Sequence, residues 1–127
     1  LDSACEMTVL PQPKAPGMKY RHYAPEAPMW LVKGSAEKIQ EIYNVERNQG
    51  KKVAVLASSE TGENLLVDEW TSLGETIFDV AAQLYDGLRK YKQEEVDLII
   101  CEGFEEEGIG QAVMNRLEKA ASRVIVE

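Results

Sequence analysis

All five prolines of this 127-residue chain, Pro11, Pro13, Pro16, Pro25 and Pro28, fall between positions 11 and 28, and none follows. Each proline fixes φ and removes a backbone donor, so this stretch can be neither a continuous helix nor a central strand. The chain therefore divides in two. Residues 1–28 read as a linker, and residues 29–127 must supply whatever core there is. In polyproline geometry, at about 3.1 Å per residue, the linker reaches roughly 50 Å, enough to cross the face of a neighbouring domain. The first residues, Leu1-Asp2-Ser3-Ala4-Cys5-Glu6, include no initiator Met and show neither helical nor alternating pattern, so a cut inside a longer protein is expected.

From Met29 onward, short apolar runs alternate with amphipathic ones. Met29-Trp30-Leu31-Val32 predicts a strand, and Gly34-Ser35 opens a helix with Ile39, Ile42 and Tyr43 on one face, ending near Gly50. Val53 to Ala57 is continuously apolar, as a strand covered on both faces requires, and Leu65-Leu66-Val67 is a shorter strand candidate. Ser72-Leu73-Gly74-Glu75 has capping-box spacing ahead of a helix striped by Ile77, Val80, Ala81, Leu84, Leu88 and Tyr91. Val96 to Cys101 predicts a buried strand, Ile109 to Ala121 a further amphipathic helix, and Arg123-Val124-Ile125-Val126 a last strand. Strands alternating with helices predict a Rossmann-like α/β domain in three α/β/α layers, with a mostly parallel sheet of about five strands.

A formal net charge of -8 excludes a broad nucleic-acid or anionic-membrane surface, because such partners would be repelled over most of the molecule. No apolar run approaches the roughly 20 residues that span a bilayer, no signal-peptide pattern opens the chain, and a cytoplasmic location with no membrane partner is expected. Cys5 and Cys101 are far apart and His22 is the one histidine; reduced thiols and no structural metal are expected.

Three loops invite ligand readings. Ser58-Ser59-Glu60-Thr61-Gly62-Glu63-Asn64 superficially resembles a flavodoxin phosphate loop, but two acidic side chains would face the phosphate and Leu65 to Glu69 does not read as the required helix, so a solvated turn is expected. The Glu102-Gly103-Phe104-Glu105-Glu106-Glu107-Gly108-Ile109-Gly110 stretch opens a helix after a strand, the usual place for a ligand in such folds. Its carboxylates would repel a pyrophosphate and suit helix capping, with a partner-docking or cation-binding loop as the alternative. Asp68-Glu69 reads as an exposed acidic turn rather than a receiver-type acidic pocket.

The segment Pro16-Gly17-Met18-Lys19-Tyr20-Arg21-His22-Tyr23-Ala24-Pro25 differs from these. Free linkers are rich in glycine, serine or simple charge, whereas here two tyrosines, an arginine and a histidine occupy four consecutive positions. Lys19 and Arg21 can neutralise phosphate or carboxylate charge, Tyr20 and Tyr23 can pack over a base or donate a hydroxyl, and the flanking prolines lower the entropy lost on docking. A strap that faces a ligand explains this composition better than a passive tether.

This P-G-M-K-Y-R-H-Y-A-P run resembles the interdomain linker of the two-domain threonylcarbamoyl-AMP synthases almost residue for residue. Gly108-Ile109-Gly110-Gln111-Ala112-Val113-Met114-Asn115-Arg116-Leu117-Glu118-Lys119-Ala120-Ala121 is similar to the family's closing helix, so the resemblance spans nearly the whole chain. It implies a parent nucleotidyltransferase whose N-terminal YrdC-like domain joins L-threonine, bicarbonate and ATP, with magnesium, into L-threonylcarbamoyladenylate. That product is the donor for N6-threonylcarbamoyladenosine at tRNA position 37. It further implies that Lys19, Tyr20, Arg21, His22 and Tyr23 form a strap over the catalytic pocket, that residues 29–127 are an accessory domain needing no cofactor of its own, and that this chain alone is inactive. The alternatives are a non-enzymatic α/β module that binds a regulatory ligand or partner, and a free-standing flavin or nucleotide protein.

Overall fold

The computed structural model describes residues 25–127. The expected alternation of strands and helices is present: β1 (Met29–Lys33), α1 (Ala36–Asn48), β2 (Val53–Ala57), α2 (Ser59–Glu63), β3 (Trp70–Ser72), α3 (Ile77–Arg89), β4 (Leu98–Glu102), α4 (Ile109–Ala120) and β5 (Arg123–Val126). All four strand pairings are parallel, in the order β3-β2-β4-β1-β5. Layering is as the sequence predicts, but the strand order is not the Rossmann 3-2-1-4-5, because β1 and β4 have exchanged places.

The two faces of the sheet carry separate cores. One packs Met29, Leu31, Leu56, Ile99 and Cys101 under Val80, Leu84 and Leu88 of α3 and Val113, Met114 and Leu117 of α4. The other packs Val32, Val53, Val55 and Ile100 under Ile39 and Tyr43 of α1, with Leu65 alongside. β2 is buried at all five positions, which is why it reads as an unbroken apolar run instead of an alternating one.

Three local expectations are corrected. The third strand is Trp70–Ser72 and not Leu65-Leu66-Val67. Gln40 explains the shift: its side-chain oxygen accepts from the Leu66 amide at 2.7 Å and its nitrogen donates to the Leu66 carbonyl at 3.0 Å, so both backbone groups are satisfied off the sheet. Only Leu65 is buried, and Leu66 is 85% exposed. The capping box before α3 is Thr76 with Asp79, not Ser72 with Glu75. Ser72 ends β3 and accepts from the Gly74 amide at 3.0 Å, in a turn that Gly74 completes at φ 119. Finally, residues 58–64 are not a bare turn: Ser58 caps the short helix α2, accepting from the Thr61 amide.

Candidate functional site

Lys19, Tyr20, Arg21, His22 and Tyr23, expected to form a ligand-facing strap, lie outside the described residues, which begin at Pro25. Ala27 is buried in the α3/α4 core, and Glu26 accepts from the Gln93 amide at 3.3 Å and lies 3.7 Å from Lys92 Nζ. The chain thus enters the domain at the N-terminal ends of the strands, against the loop between α3 and β4. That loop also borders a cleft of about 620 Å³, lined by residues preceding β2, β3 and β4 and by the end of α1.

Folds of this kind usually hold phosphates at the opposite edge, where the strands end and helix amides face outward. Here the protein's own carboxylates stand at three of those amide groups. Glu127 accepts from the Ser35 amide at 2.6 Å and from the Ser35 hydroxyl at 3.3 Å, at the start of α1. Glu102 accepts from the Ser58 amide at 2.8 Å and from the Thr61 hydroxyl at 2.7 Å, at the start of α2. Asp79 accepts from the Glu75 and Thr76 amides, each at 3.2 Å, at the start of α3.

These contacts correct the reading of the acidic loop as a helix cap. α4 is capped by Gly108 at φ 57 with no side-chain bond, and no acidic residue stands in its first turn. Two of the loop's carboxylates are used elsewhere: Glu102 fastens α2, and Glu106 lies 3.3 Å from Lys33 Nζ, which also meets Glu118 at 2.6 Å. The Glu118 bond is the main reason Lys33 titrates above its ordinary range, with Glu106 adding to it. Asp68 is exposed but engaged, paired with Arg47 and donating its amide to the Tyr43 hydroxyl at 3.0 Å. Tyr91 shares a 2.6 Å hydrogen bond with the Thr71 hydroxyl and donates toward Glu69 at 3.4 Å. Burial pushes its phenol above the ordinary range, the Thr71 bond acts against that, and the Glu69 carboxylate adds to it. The Tyr43 and Tyr91 hydroxyls were not singled out from sequence, since both tyrosines read simply as apolar stripe positions.

A family model described as threonylcarbamoyl-AMP synthase, C-terminal domain, matches residues 3–122. The chain belongs to this family. Threonylcarbamoyl-AMP synthase from Bacillus subtilis is 42% identical over 117 residues, covering 91% of this chain and 34% of the relative. The Pyrococcus abyssi synthase is 43% identical over 118 residues, covering 90% and 34%. The chain thus spans about a third of the length of these synthases. Among solved structures, P. abyssi Sua5 complexed with L-threonine superposes with a TM-score of 0.77 at 42% identity, covering 94% of this chain and 36% of that one. The C-terminal Sua5 domain from Pyrococcus horikoshii superposes at 0.65 with 35% identity, covering 82% of this chain and all of that one. A P. abyssi variant with alanines in place of an adjacent histidine and tyrosine superposes at 0.71 with 38% identity, covering 81% and 30%. Among the described residues no helix is long and apolar enough to cross a membrane.

Proposed function

We propose that this chain is the C-terminal part of an ATP-dependent nucleotidyltransferase that converts L-threonine, bicarbonate and ATP into L-threonylcarbamoyladenylate in the cytoplasm. The product feeds N6-threonylcarbamoyladenosine synthesis at tRNA position 37, so the link to tRNA is indirect. One observation carries the reading: the family match takes in the strap as well as the folded domain, and together they account for about a third of proteins named for that reaction. The chemistry belongs to a preceding YrdC-like domain, and this chain alone is inactive. Magnesium would travel with ATP on that domain; among the described residues no cluster of three His, Cys, Asp or Glu side chains could hold it.

Within this reading the strap is a lid. Lys19 and Arg21 contact anionic groups of the nucleotide or intermediate, Tyr20 and Tyr23 pack or hydrogen bond over the adenylate, and closure keeps water from a labile carbamate-type species. His22-Tyr23 is the chain's one His-Tyr step, and an adjacent histidine and tyrosine are the residues replaced in the solved P. abyssi variant. The test is made in the full-length parent. Replacing Lys19 and Arg21 together with alanine is expected to slow adenylate formation about tenfold or more, since charge-assisted hydrogen bonds are the stronger class. The melting temperature should stay unchanged, and an unaltered rate would remove the lid role.

A further inference from the structure

The cleft at the N-terminal edge of the sheet has a donor and acceptor set that the fold does not consume. Its volume of about 620 Å³ falls within the roughly 300–1,000 Å³ common for small-molecule sites. Lys52 and Lys90 line it, and neither forms an ion pair with another described residue. Tyr43 is 2% exposed, and its hydroxyl oxygen accepts from the Asp68 amide, yet its own hydrogen has no acceptor among the described residues. A buried hydroxyl with an uncommitted hydrogen favours an acceptor in the cleft.

Structural needs account for part of this set. Arg47 ends α1 and Lys90 ends α3, where a cation stabilises the negative pole of a helix, and Arg47 is further satisfied by Asp68. Lys52 has no such reason. Its backbone is fixed, the amide donating to the Asp97 carboxylate at 2.9 Å and the carbonyl accepting from the Asp97 amide at 2.7 Å, while its ammonium, beside β2, has no ion-pair partner among the described residues. In the same cleft, among the described residues the Glu69 carboxylate receives a single 3.4 Å bond, from Tyr91, and Glu95 accepts from the Lys92 amide at 3.1 Å, so both carboxylates keep acceptor capacity. Cations with spare donors and carboxylates with spare acceptors lining one cleft fit a ligand that carries both a dianion and hydroxyl groups. At the edge that folds of this kind usually use, the starts of α1, α2 and α3 are taken by Glu127, Glu102 and Asp79.

We propose that this cleft binds a ribose-phosphate compound, with Lys52, Lys90 and the Tyr43 hydroxyl on the phosphate and Glu69 and Glu95 accepting from the sugar hydroxyls. The site belongs to the accessory domain and is independent of the synthase reading, because this chain contains none of the catalytic domain assigned there. It is tested by isothermal titration of the chain with ribose 5-phosphate, inorganic phosphate and ribose. Ribose 5-phosphate should bind saturably and more tightly than either alone. Lys52→Ala with Lys90→Ala should weaken it about tenfold or more, and Tyr43→Phe by a smaller factor with unchanged circular dichroism, given the strength of charge-assisted hydrogen bonds. Absence of saturable binding, or an affinity unmoved by the double lysine variant, would overturn the proposal. Equal affinity for phosphate and ribose 5-phosphate would overturn the roles given to Glu69 and Glu95.

Discussion

The Glu102 carboxylate accepts the Ser58 amide hydrogen across 2.8 Å, tying the end of β4 to the residue that caps α2. Its second oxygen takes the Thr61 hydroxyl at 2.7 Å, so one side chain holds both the entrance and the first turn of a five-residue helix. A helix that short has almost no stability of its own.

Glu102→Ala should therefore cost about 2 kcal/mol, the range for losing hydrogen bonds to a charged group. For a domain of this size that is a fall of about 10 °C in melting temperature. Glu102→Gln keeps one acceptor and should lie between wild type and Glu102→Ala. Thermal unfolding of the three proteins checks the order, and an alanine variant as stable as wild type would show that α2 needs no such fastening.

Asp79 gives a pH-dependent prediction. Backbone bonds from Glu75 and Thr76 hold its carboxyl below the ordinary value of 3.8, with the Thr76 side chain acting in the same direction and desolvation opposing. A carboxyl with a depressed folded-state pKa stabilises the fold above its unfolded value and loses that contribution as pH falls through the folded one. Urea unfolding of wild type and Asp79→Asn should thus differ by a constant amount at neutral pH. The gap should begin to close as pH falls toward 3.8 and continue closing below it. A gap that persisted undiminished at the acid end would mean that the capping box does not depend on the ionised carboxylate.

What the sequence made legible follows its periodicities. β2 and β4 are buried on both faces and appear as apolar runs; α3 and α4 bury one face and appear as three- and four-residue stripes. What it concealed depends on contacts between distant residues. No local pattern reveals that Gln40 will occupy the Leu66 backbone and displace the third strand by a few residues. Nor does any local signal say that Glu102 will reach a residue 44 positions away, or Glu127 one 92 positions away. The exchange of β1 and β4 is equally invisible, since strand order is set by which crossovers pack and not by composition. The candidate site residues are the reverse case: Lys19 to Tyr23 are conspicuous by residue type, while the cleft that includes Tyr43 and Lys52 is assembled from three separate segments.

Gly110 offers a test in which the usual sign of a substitution reverses. In an open helix, alanine is favoured over glycine by about 1 kcal/mol. At the start of α4, however, an added Cβ would stand 2.0 Å from the Glu105 carbonyl oxygen and 3.3 Å from its carbon. These are backbone atoms, so no rotamer change relieves the contact, and the acidic loop would have to move. Gly110→Ala should cost about 2–3 kcal/mol, as overpacking of a close contact does. Gly110→Ser should cost as much, because Cβ and not the hydroxyl meets Glu105. Neighbouring Gly108 separates this cause from backbone strain: it has nothing within 4 Å of its Cβ position but sits at φ 57. Gly108→Ala should lose about 1–2 kcal/mol through conformation alone. Urea midpoints for the three variants check the ranking, and a Gly110→Ala protein more stable than wild type would contradict the close approach of the loop to α4.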